Sequence, residues 1–293
     1  MLKLFRFLAL CTISVAFATL SIAWAQTYTK VDFPGATATT LNGGPNPEDT
    51  NIGSWTDTGG VTHGFTLKKG VFTSFDPTGS TSTTPNWISP QGVIVGGFLD
   101  SSGASHGFIL DGGLYTTVNF PGAAGTVLTG LSPSGEMTGF SCSDPACGTT
   151  GNPTTNHSFT VSKKGAFTGF DPPGAVSSSA STVNPSGAVV GAYTDSGGVG
   201  HGYLLYHGAF TTIDFPGATF TFNGANNPRG DIVGLWTDKG GVNHGFLLSK
   251  GVFTSFDFPK AVFTDAAGIN PSGIIVGVYV DSANAVHGFI RTP

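Results

Sequence analysis

A three-residue motif, His-Gly-Phe, returns along this chain at a nearly fixed interval, and that recurrence restricts the possible folds more than any other feature. It stands at His63-Gly64-Phe65, His106-Gly107-Phe108, His244-Gly245-Phe246 and His287-Gly288-Phe289. His201-Gly202-Tyr203 and His157-Ser158-Phe159 are variants, which makes six copies spaced 43 or 44 residues apart with one gap of 51. A period of this length marks a repeat architecture, in which each unit buries its apolar face against the next.

Each repeat divides into four short segments, A to D. In the fifth copy, segment A is Thr219-Phe220-Thr221-Phe222 and leads to Asn227-Pro228-Arg229-Gly230, a turn in which Pro presets φ and Gly suits the last position. Segment B is Ile232-Val233-Gly234-Leu235-Trp236, ended by Asp238; segment C is His244 to Leu248. Lys250-Gly251 reads as a tight hairpin turn, and segment D runs from Val252 to Phe256, ended by Asp257. The B-segment glycines, Gly53, Gly96, Gly139, Gly191, Gly234 and Gly277, stand ten residues before the repeat His, except that eight extra residues separate Gly139 from His157. That insertion, 142–156, carries Cys142 and Cys147.

Four strands in about 43 residues describe one blade of a β-propeller. The chain ends extend the reading. After residue 25 the chain opens on a lone D segment, Tyr28 to Asp32, and it closes on a lone C segment, His287 to Arg291. Pairing the two would complete a sixth blade and remove exposed sheet edges. The expected fold is therefore all-β: one six-bladed propeller over residues 26–293, four antiparallel strands per blade, closed by the N-terminal strand. Trp55, Phe98, Tyr193, Trp236 and Tyr279 lie two residues after a B-segment glycine and read as core, with the glycine leaving room for a ring of the next blade.

Residues 1–25 read as a signal peptide: Lys3 and Arg6 precede an apolar run, Phe7 to Ile22, and Ala23-Trp24-Ala25 fits a cleavage site. The protein is then secreted, periplasmic or extracellular, with no membrane attachment after cleavage. In such a compartment Cys142 and Cys147 pair. Only 10% of residues are charged and the net charge is −5, which offers no basic surface to nucleic acid.

The runs Asp-Phe-Pro-Gly-Ala, Asn-Pro-Ser-Gly-x-Ile-Val-Gly and His-Gly-Phe resemble the HAF extracellular repeat of bacterial secreted proteins. The resemblance spans Thr27 to Pro293. It implies an exported propeller-like protein and supplies no catalytic residues. The family has Ala where this chain has Gly after His, and the third repeat departs further, at Ser158 and Asn119.

The repeat histidines His63, His106, His157, His201, His244 and His287 read as structural clasps, each bonded within its own blade to the Asp that ends segment B, such as Asp57 or Asp238. The Asp ending segment D is expected to bond local backbone amides. Neighbouring histidines stand too far apart to share a metal, and each Asp-x-Gly-Gly loop has one acid, too few for calcium. No metal and no cofactor are expected. No Gly-x-Ser-x-Gly or His-Glu-x-x-His motif occurs, so a non-catalytic binding or scaffold module is the favoured function and a glycan-active hydrolase with a channel-mouth acid the alternative. The partner would be a surface glycan or a protein. The binding face is placed on the B–C and D–A loops, with Asp265, Lys260, Phe258, Asp144 and Asn152 as candidates. Trp87, Arg229 and His207 stand out on the opposite face.

Overall fold

The computed structural model describes residues 26–147 and 155–293. Within them the chain forms 24 β-strands and no helix. Residues 1–25, read above as a signal peptide, and Asn152 lie outside the described residues.

The strands pair antiparallel in successive fours. The first set is β2 (Ala38–Gly43), β3 (Thr50–Thr56), β4 (Thr62–Lys68) and β5 (Val71–Phe75). Four more sets follow the same A-B-C-D order. The last comprises β22 (Phe263–Ile269), β23 (Ile275–Val280) and β24 (Val286–Thr292), and its fourth strand is β1 (Thr27–Val31), paired to β24 from Thr27 opposite Thr292 to Val31 opposite Gly288. Two isolated parallel contacts, Ala38 with Val286 and Gly200 with Phe220, join neighbouring sets.

The glycine of each B strand has a steric cause. In β3, Gly53 pairs across to Phe65 of β4, and the Phe65 ring lies flat over it. A Cβ on Gly53 would stand 1.9 Å from the carbonyl oxygen of Thr40 and 2.9 Å from the Phe65 ring. The same triplet recurs at Gly234, with Phe222 and Phe246. The phenylalanine of His-Gly-Phe therefore covers the B glycine of its own set. The expectation that the next blade supplies this ring is corrected. Phe65, Phe108, Phe159, Phe246 and Phe289 are completely buried, and burying such a ring contributes on the order of 2–3 kcal/mol.

Each A strand carries a β-bulge at one equivalent place. Pairing runs Leu41 to Gly53 and then Gly43 to Ile52, leaving Asn42 unpaired. Asn86, Thr129, Ser181, Gly224 and Ala267 are the extra residues of the other five. A bulge bends its strand and re-aims the extra side chain. All six bulge residues border one cavity of about 160 Å³, so the A strands surround a common interior space. Hydrogen bonds tie neighbouring A strands there: Asn42 Nδ2 donates to Pro85 O, Asn86 Nδ2 to Leu128 O, and Thr129 Oγ1 to Ala180 O, each at 2.8 Å.

Candidate functional site

The A–B turns build a pocket at one mouth of this interior. In four of the six sets the turn opens on Asn-Pro, and the asparagine side chain folds the loop. Asn184 Oδ1 accepts the amides of Ser186 and Ala188; Asn227 Oδ1 those of Arg229 and Asp231; Asn270 Oδ1 those of Ser272 and Ile274. Ser89 serves the second set in the same way through Oγ. This is the backbone-mimicking turn that Asn and Ser favour, with the following Pro fixing φ. The six turns converge on a cavity of about 320 Å³ bordered by Pro47, Pro90, Pro133, Pro185, Pro228 and Pro271. No charged side chain lines it.

Trp87 belongs to this cavity. It packs against the cluster that includes Val95 and Leu128 of the second and third sets, and also against the cluster that includes Ala225, Val233 and Ile269 from the fifth and sixth. A side chain rooted in the second set meets both clusters by reaching over the middle of the molecule. Trp87 borders the mouth cavity but not the cavity bordered by the bulges.

Asp265 lies deeper. By strand register its counterparts in the other A strands are Thr40, Thr84, Val127, Ser179 and Phe222. The residue is half-buried, yet its Oδ1 is buried with no hydrogen-bond partner. Burial pushes its carboxyl up to about 6. No second carboxylate occupies an equivalent position in the other A strands.

On the opposite face the repeat histidines form two-sided clasps. His63 Nδ1 lies 2.7 Å from Asp76, which ends strand D, and its Nε2 lies 3.6 Å from Asp57, which ends strand B. His201 repeats this with Asp214 at 2.7 Å and Asp195 at 3.4 Å. His106 uses Asn119 and Asp100, His157 uses Asp171, His244 uses Asp257 with Asp238 at 3.7 Å, and His287 uses Asp32 of β1 with Asp281. The closer partner in most copies is thus the D-strand Asp. The expected bond from His to the B-strand Asp is present as the longer contact, 3.1 Å at His106 with Asp100, and the D-strand Asp is a nearer partner that the sequence reading did not foresee; the B-strand Asp also accepts the loop amides, as Asp57 Oδ1 does from Gly59 and Val61 at 2.8 and 2.9 Å. The Val61 amide first, then the Gly59 amide and His63, hold Asp57 below the usual carboxylate range against a modest burial effect. Burial pulls His63 down, but Asp76 and then Asp57 raise it above its ordinary value; Asp214 leads the same upward shift at His201.

Each B-strand aromatic stacks in this clasp. Trp55 lies between Phe33, at 4.2 Å, and His63, at 4.7 Å; Trp236 lies between Phe215 and His244. Both ring faces are covered, so neither tryptophan is a platform for a sugar.

The four described candidates for this face do not gather at one place. Phe258 stacks on Tyr279 at 3.7 Å, the part that Phe33 and Phe215 play elsewhere. Lys260 is exposed, with φ at +66° where other copies have Gly. Asp144 sits in the loop closed by the Cys142–Cys147 disulfide, and that loop folds back on the second set through Ser105 N donating to Pro145 O. Arg229 Nη2 pairs with Asp231 at 2.9 Å, and His207 is exposed beside Tyr206. Sequence reasoning noticed Trp87 and passed over the six prolines. Their identical place in each repeat was the available signal, since turns on one face of a ring must converge. Among the described residues no group of three or more His, Cys, Asp or Glu side chains is placed to hold a metal.

Successive four-stranded antiparallel units whose first strands border one interior cavity define the class: the chain has a β-propeller fold. No protein-family model matches it, and no curated protein matches it. Solved propellers do. A putative TolB from Agrobacterium tumefaciens aligns with a TM-score of 0.58 at 13% identity, over 87% of this chain and 89% of that one. The Aleuria aurantia lectin, solved with α-methyl-L-fucoside, aligns at 0.53 and 13%, over 86% and 90%. A catalytically inactive virginiamycin B lyase from Staphylococcus aureus, solved with quinupristin, aligns at 0.53 and 12%, over 92% and 99%. At such identities the likeness is one of fold alone.

Proposed function

We propose that this chain is an exported, non-catalytic binding propeller of six blades, of the HAF-repeat type, closed by β1 on the last blade, whose ligand seats in the cavity ringed by the A–B turns. The observation that carries the reading is that cavity: turns from all six sets border one uncharged pocket with Trp87 in it. A scaffold alone has no use for a half-buried tryptophan at its centre, since smaller side chains fill the equivalent position in the other sets: Gly43, Gly130, Thr182, Ala225 and Gly268. The ligand is displayed on a surface as part of a glycan or a protein, as suits an exported chain with a disulfide. This moves the binding face away from the disulfide insertion.

The test is retention of the purified protein on a cell-surface extract. Trp87→Ser should abolish retention with an unchanged far-ultraviolet dichroism spectrum, and deletion of 143–156 should leave it intact. The reverse pattern would return the site to the insertion face. Periodate or protease treatment of the extract separates glycan from protein.

A further inference from the structure

The polar groups of the mouth cavity are mostly spent on the protein itself. Asn46 uses Oδ1 on the amides of Glu48 and Thr50 and Nδ2 on Ser89 O. Asn184 uses Oδ1 on its own turn and Nδ2 on Asn227 O. Asn227 gives Nδ2 to Asp231 and to Asn270 O, and Asn226 gives Nδ2 to Ala188 O while its Oδ1 accepts from Thr182. Two side-chain nitrogens are left with no partner among the described residues. Trp87 Nε1 makes no hydrogen bond to them, unlike Trp55 Nε1 and Trp236 Nε1, which donate to Ser74 and Ser255. Asn270 Nδ2 makes none either, although its Oδ1 is fully used. Neither atom is buried away from solvent. Most of the remaining wall is proline rings and the aliphatic side chains of Ile88, Leu131, Val183 and Ile269, with the Ser272 hydroxyl as a further polar group.

A sugar ring fits such a wall poorly. Each hydroxyl both donates and accepts, and burying it without a partner forfeits its bonds to water. An uncharged aromatic ring suits the proline and aliphatic walls, and a ring with one hydrogen-bond acceptor also uses the donors that are left. The volume allows this: a cavity of about 150 Å³ takes benzene, and this one is about twice as large.

We propose that the group entering the axial cavity is an uncharged aromatic ring bearing a hydrogen-bond acceptor, held against Trp87 and the prolines, with Trp87 Nε1 and Asn270 Nδ2 donating to the acceptor. This rests on the axial cavity being the binding site and decides what chemistry it reads. The ring is a tyrosine side chain presented by a surface protein, and a free small molecule is the other outcome the test distinguishes.

The experiment is equilibrium dialysis of the full protein with four probes: 2-acetylnaphthalene, 2-ethylnaphthalene, the peptide acetyl-Gly-Tyr-Gly-amide, and methyl α-L-fucoside. 2-Acetylnaphthalene should bind saturably and more tightly than 2-ethylnaphthalene, which lacks the acceptor. Trp87→Phe keeps an aromatic wall and removes one donor. It should weaken 2-acetylnaphthalene about fivefold, the loss of one neutral hydrogen bond, and leave 2-ethylnaphthalene unchanged. Asn270→Ala should act in the same selective way, which guards against a tryptophan variant that packs badly. Binding of the tyrosine peptide with the same dependence assigns the ring to a protein partner; binding of the naphthalenes alone assigns it to a small molecule. Fucoside binding that depends on Trp87, with no aromatic binding, overturns this inference and leaves the axial site standing. Probe binding indifferent to both substitutions, or none at all, overturns the inference; retention on the extract lost in Trp87→Ser would still uphold the site.

Discussion

Replacing Asp265 with Asn should stabilise the protein at neutral pH. The carboxyl is held in an A strand with Oδ1 buried and unpaired, and burial lifts its pKa from 3.8 to about 6. The sign follows from linkage. A folded-state pKa above the unfolded one means the folded protein binds the proton more tightly. Stability from this group is complete below about pH 4, declines as pH rises from there to about 6, and stays low above. A difference of about two units corresponds to roughly 3 kcal/mol lost by pH 7. Asparagine has the same shape and no charge to desolvate, so Asp265→Asn should recover much of that loss, about 1–3 kcal/mol, at pH 7. At pH 3.5 the two proteins should melt nearly together. Urea denaturation of both at pH 3.5, 5 and 7 measures this, with the midpoint gap opening as pH rises. A variant less stable than wild type at pH 7, or a gap that does not change with pH, would refute the argument that an uncompensated charge sits there.

The clasps predict a different profile. His63 and His201 are raised, so their contribution is full below about pH 6.5 and fades as pH rises through the higher folded value; Asp57 and Asp195 are lowered, so theirs is full above about pH 4 and fades as pH falls. His201→Asn should therefore reduce Tm most near pH 5–6 and least near pH 8, read by calorimetry across that range. Gly234→Ala drives a Cβ to 1.9 Å from Phe222 O and should cost at least the ~1–3 kcal/mol of ordinary overpacking, whereas Gly169→Ala, at an exposed strand position where a Cβ would come no nearer than 3.8 Å to any neighbour, should cost less; equal losses in denaturant midpoint would contradict the steric account. Cutting the chain before Asp32 removes β1 and leaves β24 as a bare edge, so the shortened protein should associate on size-exclusion chromatography where the full one does not. Cys142→Ser with Cys147→Ser should cost about 2 kcal/mol or less, because the loop is short and local.

The amino-acid sequence alone determined the repeat, its four strands and their order. His-Gly-Phe, the B glycines and Asn-Pro-x-Gly each act within one repeat, and local sterics and turn chemistry are readable residue by residue. It also implied that Tyr28 to Asp32 would be needed by the last repeat, and β1 does pair with β24. Tertiary structure decided the rest. Only the strand register shows that Phe65 covers Gly53 of its own set, that Asp76 is the nearer partner of His63, and that one residue in each A strand bulges toward the interior. The candidate site belongs to this second group. Six prolines about 43 residues apart look like six ordinary turns in the sequence, and they become one wall because the sets come round to face each other. Which side chain points into a shared space depends on contacts across the whole chain, and a short local pattern does not encode them.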